Sequence, residues 1–146
     1  MNTQDAVVHL TANFSLIRVG TAEDGSPEYD YATPIQFTAC VLDDERLTLI
    51  HPFADLDSDL SPEMERRLLE ANLNGAGTGA GQIGRHPTLG LALIEVLDCE
   101  PLHISSFQKR FVDFMMHAEF LGSEVIPELL QERSVDSDDM AQAIRG

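Results

Sequence analysis

The sequence predicts an α+β domain built on a small antiparallel sheet, and three observations carry that prediction. Residues 35–41 and 47–51 are alternating apolar runs on either side of an acidic turn, as in an antiparallel hairpin. Two segments, beginning at Ser61 and Ser105, carry apolar side chains at helical spacing behind recognisable helix starts. Residues 91–97 form an almost wholly apolar run that reads as a strand with two apolar faces. A chain of 146 residues fits one domain. Residues 1–133 are assigned to it, and residues 134–146 to an acidic, frayed tail.

Taken in order, residues 5–19 support two readings. Val7, Leu10, Phe14 and Ile17 recur at helical spacing, while Val8, Leu10, Ala12, Phe14 and Leu16 alternate like a strand. Residues 21–27, with Gly25 and Pro27, read as a loop, and residues 28–31 as a short edge strand ended by Pro34. Ile35, Phe37, Ala39 and Val41 then alternate with Gln36 and Thr38, and Leu47, Leu49 and His51 with Thr48 and Ile50. Asp43, Asp44 and Glu45 supply the turn between them.

Ser61 is placed as the N-cap of the next helix, with Pro62 at its first position and Glu63 in the first turn, where the helix dipole favours negative charge. Met64, Leu68 and Ala71, flanked by Leu69, form its apolar stripe, and Asn74 and Gly75 end it. A glycine-rich loop leads to a short strand over residues 82–86 and a turn at residues 87–90. In the apolar run that follows, Ala92, Ile94 and Val96 share one face, and Leu91, Leu93 and Leu97 the other. A single-sheet domain covers one such face with its own helices; the second calls for a subunit partner. The closing helix starts at Ser105, with Gln108 as capping-box partner, and ends near Leu121 before Gly122. Phe107, Phe111, Phe114, Ala118 and Leu121 form its stripe, and residues 124–133 add a short helix.

Apolar residues make up 43% of the chain and charged residues 23%, a globular balance. With 9 basic against 25 acidic residues and a net charge of −16, the surface repels phosphate backbones and anionic bilayers, so neither nucleic acid nor membrane is an expected partner. No segment approaches the roughly 18 continuous apolar residues needed to span a bilayer, and the N-terminus lacks a basic region ahead of an apolar core, so a cytoplasmic location is expected. Cys40 and Cys99 read as reduced, partly buried thiols.

The chemical motifs are weak. Gly79, Gly81 and Gly84 satisfy the spacing of a dinucleotide-binding loop, but a helix precedes them and Pro87 and a strand follow, the reverse of the required order. His117 and Glu119 match half of a zinc deaminase signature whose PCxxC half is missing. The histidines His9, His51, His86, His103 and His117 show no ligand spacing. No catalytic residue, metal or cofactor is assigned. The methionines and aromatics of residues 111–120 occupy more than one helix face; core packing explains most of them, and such soft surfaces also serve promiscuous binding.

The segment Leu68, Leu69, Glu70, Ala71, Asn72, followed by glycines from Gly75 to Gly81, Ile83 and Gly84, Pro87, Gly90, then Leu91, Ala92 and Leu93, resembles the central segment of the class I type III secretion chaperones, the Tir chaperone or CesT family. Phe111, Val112 and Asp113 resemble part of that family's closing helix. The likeness covers about residues 35–121; His86 stands where family members often carry an acidic residue. It implies the order α-β-β-β-α-β-β-α with three main helices, and therefore a helix within residues 5–19. It further implies a bacterial homodimer that holds an extended segment of a secreted effector, soluble and competent for secretion, without ATP, nucleotide or metal; the secretion ATPase is a possible further partner. Under this reading Leu68, Leu69, Leu73, Ile94 and Val96 are the dimer candidates, and Phe37, Val41, Leu49 and Phe53 the client-contact candidates. Two rivals are a homodimeric enzyme of hotdog thioesterase type with Glu65 or Glu70 as base, and an acidic regulator that sequesters a transcription activator.

Overall fold

Residues 3–21 hold two elements in succession, which is why both helical and alternating spacing are legible there. The computed structural model describes residues 1–32, 35–53, 61–63, 66–67, 70, 81–86 and 90–127. Helix α1, Thr3–Asn13, starts from a complete capping box: the Asn2 side chain accepts from the Asp5 amide at 2.9 Å, and Asp5 accepts from the Asn2 amide at 3.2 Å. Ala6, Val7 and Leu10 form its buried face. Phe14 turns extended at φ −129°, ψ 157° and hands the chain to strand β1, Leu16–Thr21. The helical reading therefore holds to Asn13, and the alternating one from Leu16 onward. Replacing Asn2 with alanine is expected to lower unfolding free energy by about 1 kcal/mol, measurable as a reduced urea midpoint at unchanged slope.

Strands β2 (Pro27–Tyr31), β3 (Phe37–Val41), β4 (Arg46–Pro52), β5 (Gln82–His86) and β6 (Gly90–Asp98) complete one six-stranded sheet in the order β1-β2-β3-β4-β6-β5. Every neighbouring pair is antiparallel. Residues 28–31 are thus not an edge strand: β1 pairs outside them, through a turn in which Gly25 adopts φ +88° and Asp24 accepts from the Ser26 amide. The acidic turn between β3 and β4 forms as expected. Asp43 accepts from the Glu45 and Arg46 amides and from the Arg46 guanidinium, which together hold its carboxyl below the usual range. The start of α1 is anchored on this turn, because Thr3 donates to the carbonyls of Asp43 and Asp44.

Helix α2, Ile104–Phe120, begins two residues earlier than a Ser105 N-cap indicates. His103 is the N-cap and no side chain caps the helix, so the expected Ser105–Gln108 box does not form. Its end also differs: the chain continues through a wider π-type turn, Leu121–Val125, instead of stopping at Gly122. Pro62, Glu63, Arg66, Arg67 and Glu70 are helical as expected, and Arg66 pairs with Glu63 at 2.7 Å and Glu70 at 3.3 Å. The proposed stripe and C-terminal cap of that helix, the glycine loop, the turn at residues 87–89 and the tail 134–146 lie outside the described residues.

Strand register explains the core. Tyr31 faces Phe37, Ala39 faces Leu49, and Leu47 faces Leu97, so one sheet face carries these residues together with Leu91 and Leu93. The buried faces of α1 and α2 pack on it, with Phe107, Phe111, Phe114, Met115 and Ala118 supplied by α2. Phe37 stacks on Tyr31 at 4.9 Å between ring centroids and meets Phe111 at 5.1 Å and Phe14 at 5.8 Å. Each fully buried large side chain of this set contributes about 1.5–3 kcal/mol. On the opposite face Thr38, Cys40, Thr48, Ile50 and Ala92 are buried, Ile94 is half-buried and Val96 is exposed. The two-sided reading of β6 is therefore correct in its parity.

Candidate protein-docking surface

Six of the ten exposed large apolar side chains among the described residues, Leu16, Ile17, Val19, Val112, Met116 and Phe120, lie on β1 and along the outer side of α2. Among the described residues β1 pairs with β2 alone and stands at the edge of the sheet, where exposed backbone donors and acceptors form a natural template for another strand. Its side chains are exposed and mostly apolar: Ile17 is 57% and Val19 60% accessible, with Arg18 its one charge. A register irregularity between Leu16 and Arg18 marks a bulge, which sharpens the local twist.

An open groove of about 350 Å³ lies between Phe14, Ile35 and the flank of α2, where Phe111, Val112, Met115, Met116 and Glu119 complete its lining. Phe14, held against Phe111 at 4.9 Å, forms one wall and leads two residues later into β1. Along the outer side of α2, Val112, Met116 and Phe120 stand at steps of four, all exposed, with Met116 at 63%. The inner side of the same helix is the aromatic core stripe, so α2 is apolar on two faces. Beyond α1, Met1, Asp5, Val8, His9, Ala12 and Ile104 line a second depression.

The residues singled out from sequence divide unevenly over this geometry. Phe37 and Leu49 are fully buried beneath the helices and Phe53 is nearly so; as core residues they are not available for client contact, which corrects that expectation. Strand alternation placed Phe37 and Leu49 there, on the sheet face that the helices cover. Val41 is half-buried at the core margin. Ile94 and Val96 lie on the opposite sheet face, away from the β1 groove, and Leu68, Leu69 and Leu73 lie outside the described residues. Ile17, Val19, Val112 and Met116 were not chosen from sequence; the apolar residues on two faces of residues 111–120 were the one signal, and it pointed only to Val112 and Met116.

The remaining chemical candidates come apart in three dimensions. Gly84 sits inside β5, so a strand rather than a helix follows Gly81. Glu70 is exposed and paired with Arg66, a solvated helix residue, and Glu65 lies outside the described residues. No three of His, Cys, Asp and Glu gather to hold a metal ion among the described residues. His51 donates from Nδ1 to the Gln36 carbonyl at 2.7 Å and packs edge-on against Phe53; burial lowers its pKa. Cys40 and Cys99 are free and buried, and burial raises both thiol pKa values, away from reactivity. Among the described residues Glu95 of β6, opposite Leu49 on the core face, is the one buried charged residue, at 5% exposed.

No protein-family model matches the chain, and no curated protein matches its sequence. The class defined here is an α+β domain with a six-stranded antiparallel sheet and two helices packed on one face. No helix among the described residues is long and apolar enough to cross a membrane.

Proposed function

We propose that this protein is a cytoplasmic, homodimeric chaperone that holds an extended segment of a bacterial type III secreted effector, keeping it soluble and competent for secretion without ATP. The observation that carries the reading is an apolar strand, β1, at the edge of the described sheet, beginning two residues after Phe14, which with Met116 walls the apolar groove. An extended polypeptide satisfies both parts at once: its backbone adds to the β1 edge, and alternate side chains enter the groove. The methionines suit such a client, because flexible thioether side chains adapt to several sequences. The sequence likeness to class I secretion chaperones supports the same assignment, and a net charge of −16 favours solubility of a loaded complex.

The dimer rests on Val96 and Ile94, which leave apolar surface on the sheet face opposite α1 and α2, together with Leu68, Leu69 and Leu73. Light scattering is expected to give twice the monomer mass at micromolar concentration, and a monomer there would count strongly against this arrangement. The client assignment is tested by co-purification from the native cytoplasm, identification of the bound protein, and amide exchange of the complex. A bound polypeptide that slows exchange in β1 is the expected result; a bound acyl or nucleotide ligand with no protein partner would overturn the reading.

A further inference from the structure

Glu95 is the charged residue in the wrong place for a simple core. Strand parity sets it on the helix-covered face of β6, in line with Leu93 and Leu97 and across from Leu49. It is only 5% exposed, and its Oε2 has no hydrogen-bond partner among the described residues. Above it runs one flank of α2, from which Arg110 and His117 act on the carboxyl as attractive charges and Asp113 as a repulsive one. From the strands, the described same-face neighbours are Leu47, Leu49, Leu93, Leu97 and Ile83; the nearest titratable group on that side of β4 is His51, engaged with Gln36. An ionised carboxylate with an orphan oxygen in such surroundings carries a desolvation cost that Arg110 and His117, both half-buried, only partly offset.

We propose that the Glu95 carboxyl is a proton-operated clasp beneath α2: protonated, it is accommodated within the core face, and ionised, it weakens the helix's grip on the sheet. The consequence reaches the surface, because Phe111, Val112, Met115 and Met116, which line the groove, all belong to α2. The clasp does not depend on what fills that groove. Burial is the main influence on Glu95 and raises its pKa, with Arg110 and His117 opposing. A carboxyl whose folded midpoint lies above its unfolded one keeps its proton longer in the native state. Its stabilising effect is therefore full below the ordinary glutamate midpoint and is lost as pH rises through the raised folded midpoint.

The test uses the full chain and two readouts. The Glu95 side-chain carbon, followed by NMR across the pH range, is expected to titrate with a midpoint above the ordinary glutamate value; a midpoint at or below it overturns the proposal. Amide protection in α2, corrected for intrinsic exchange at each pH, is expected to fall relative to that in β3 and β4, by about tenfold for each pH unit of that excess. In Glu95→Gln the relative fall should vanish. The same trend in Glu95→Gln would assign it to His117 or another group, and an equal fall in helix and sheet would show no clasp on α2; either result overturns the proposal. Should Glu95→Gln fail to fold, the wild-type titration and exchange profile still decide.

Discussion

Phe37→Ala is expected to destabilise the domain by about 3–5 kcal/mol, the range for removing a fully buried aromatic side chain. Phe37 is the hub of the ring cluster: it touches Tyr31 from β2, Phe14 from the end of α1 and Phe111 from α2. Alanine here removes contacts to both helices and leaves a cavity where sheet and helices meet, and the rigid neighbours fill little of it. Chemical denaturation measures the loss directly as a reduced midpoint. The same experiment separates two roles for this residue. A core role shows as lost stability in the isolated protein; a variant with wild-type stability but impaired partner binding would return Phe37 to the surface.

The opposite pattern is expected from the paired substitution Val19→Thr and Met116→Gln. Both positions are more than half exposed, so the change in unfolding free energy should stay within about 0.5 kcal/mol for each. The replacements keep approximate shape and local propensity while removing apolar surface from the strand edge and from the groove. Affinity for the extended segment identified by co-purification is expected to fall by about 2 kcal/mol, roughly thirtyfold, as for a hot-spot pair. Calorimetric titration with that segment gives the answer, and an unchanged dissociation constant would remove this surface from the proposed binding site.

Much of the sheet was legible because its signals are local. The β3–β4 hairpin follows from two alternating runs and from Asp43, whose carboxylate ties the turn to the Glu45 and Arg46 amides. The division of β6 into two faces follows from period-two geometry, and the α2 stripe from steps of three and four. What escaped has physical reasons. β1 was masked by its own neighbour, since helix and strand share residues 3–21 and the break at Phe14 and Ser15 carries neither glycine nor proline. Ser105 resembled a cap, but His103 leads the helix and leaves Ser105 in its first turn.

The client-contact residues were sought among the apolar members of alternating strands, where burial is the usual fate. The exposed apolar side chains instead belong to an edge strand and to the second face of a helix whose first face is core. Glu95 was readable in principle, because its parity with Leu93 and Leu97 already placed it inward. The dominance of leucine and isoleucine around it hid the exception.

The order of strands along the chain has a bearing on how the protein is made. Residues 16–52 form a meander of consecutive antiparallel neighbours, and they leave the ribosome well before residues 104–120 exist. At 5–20 residues per second, roughly, the meander waits several seconds with Tyr31, Phe37 and Leu49 still uncovered by α2. For that interval the newborn chain is itself sticky and unfinished, so its yield in the cell should respond to translation speed and to general folding helpers.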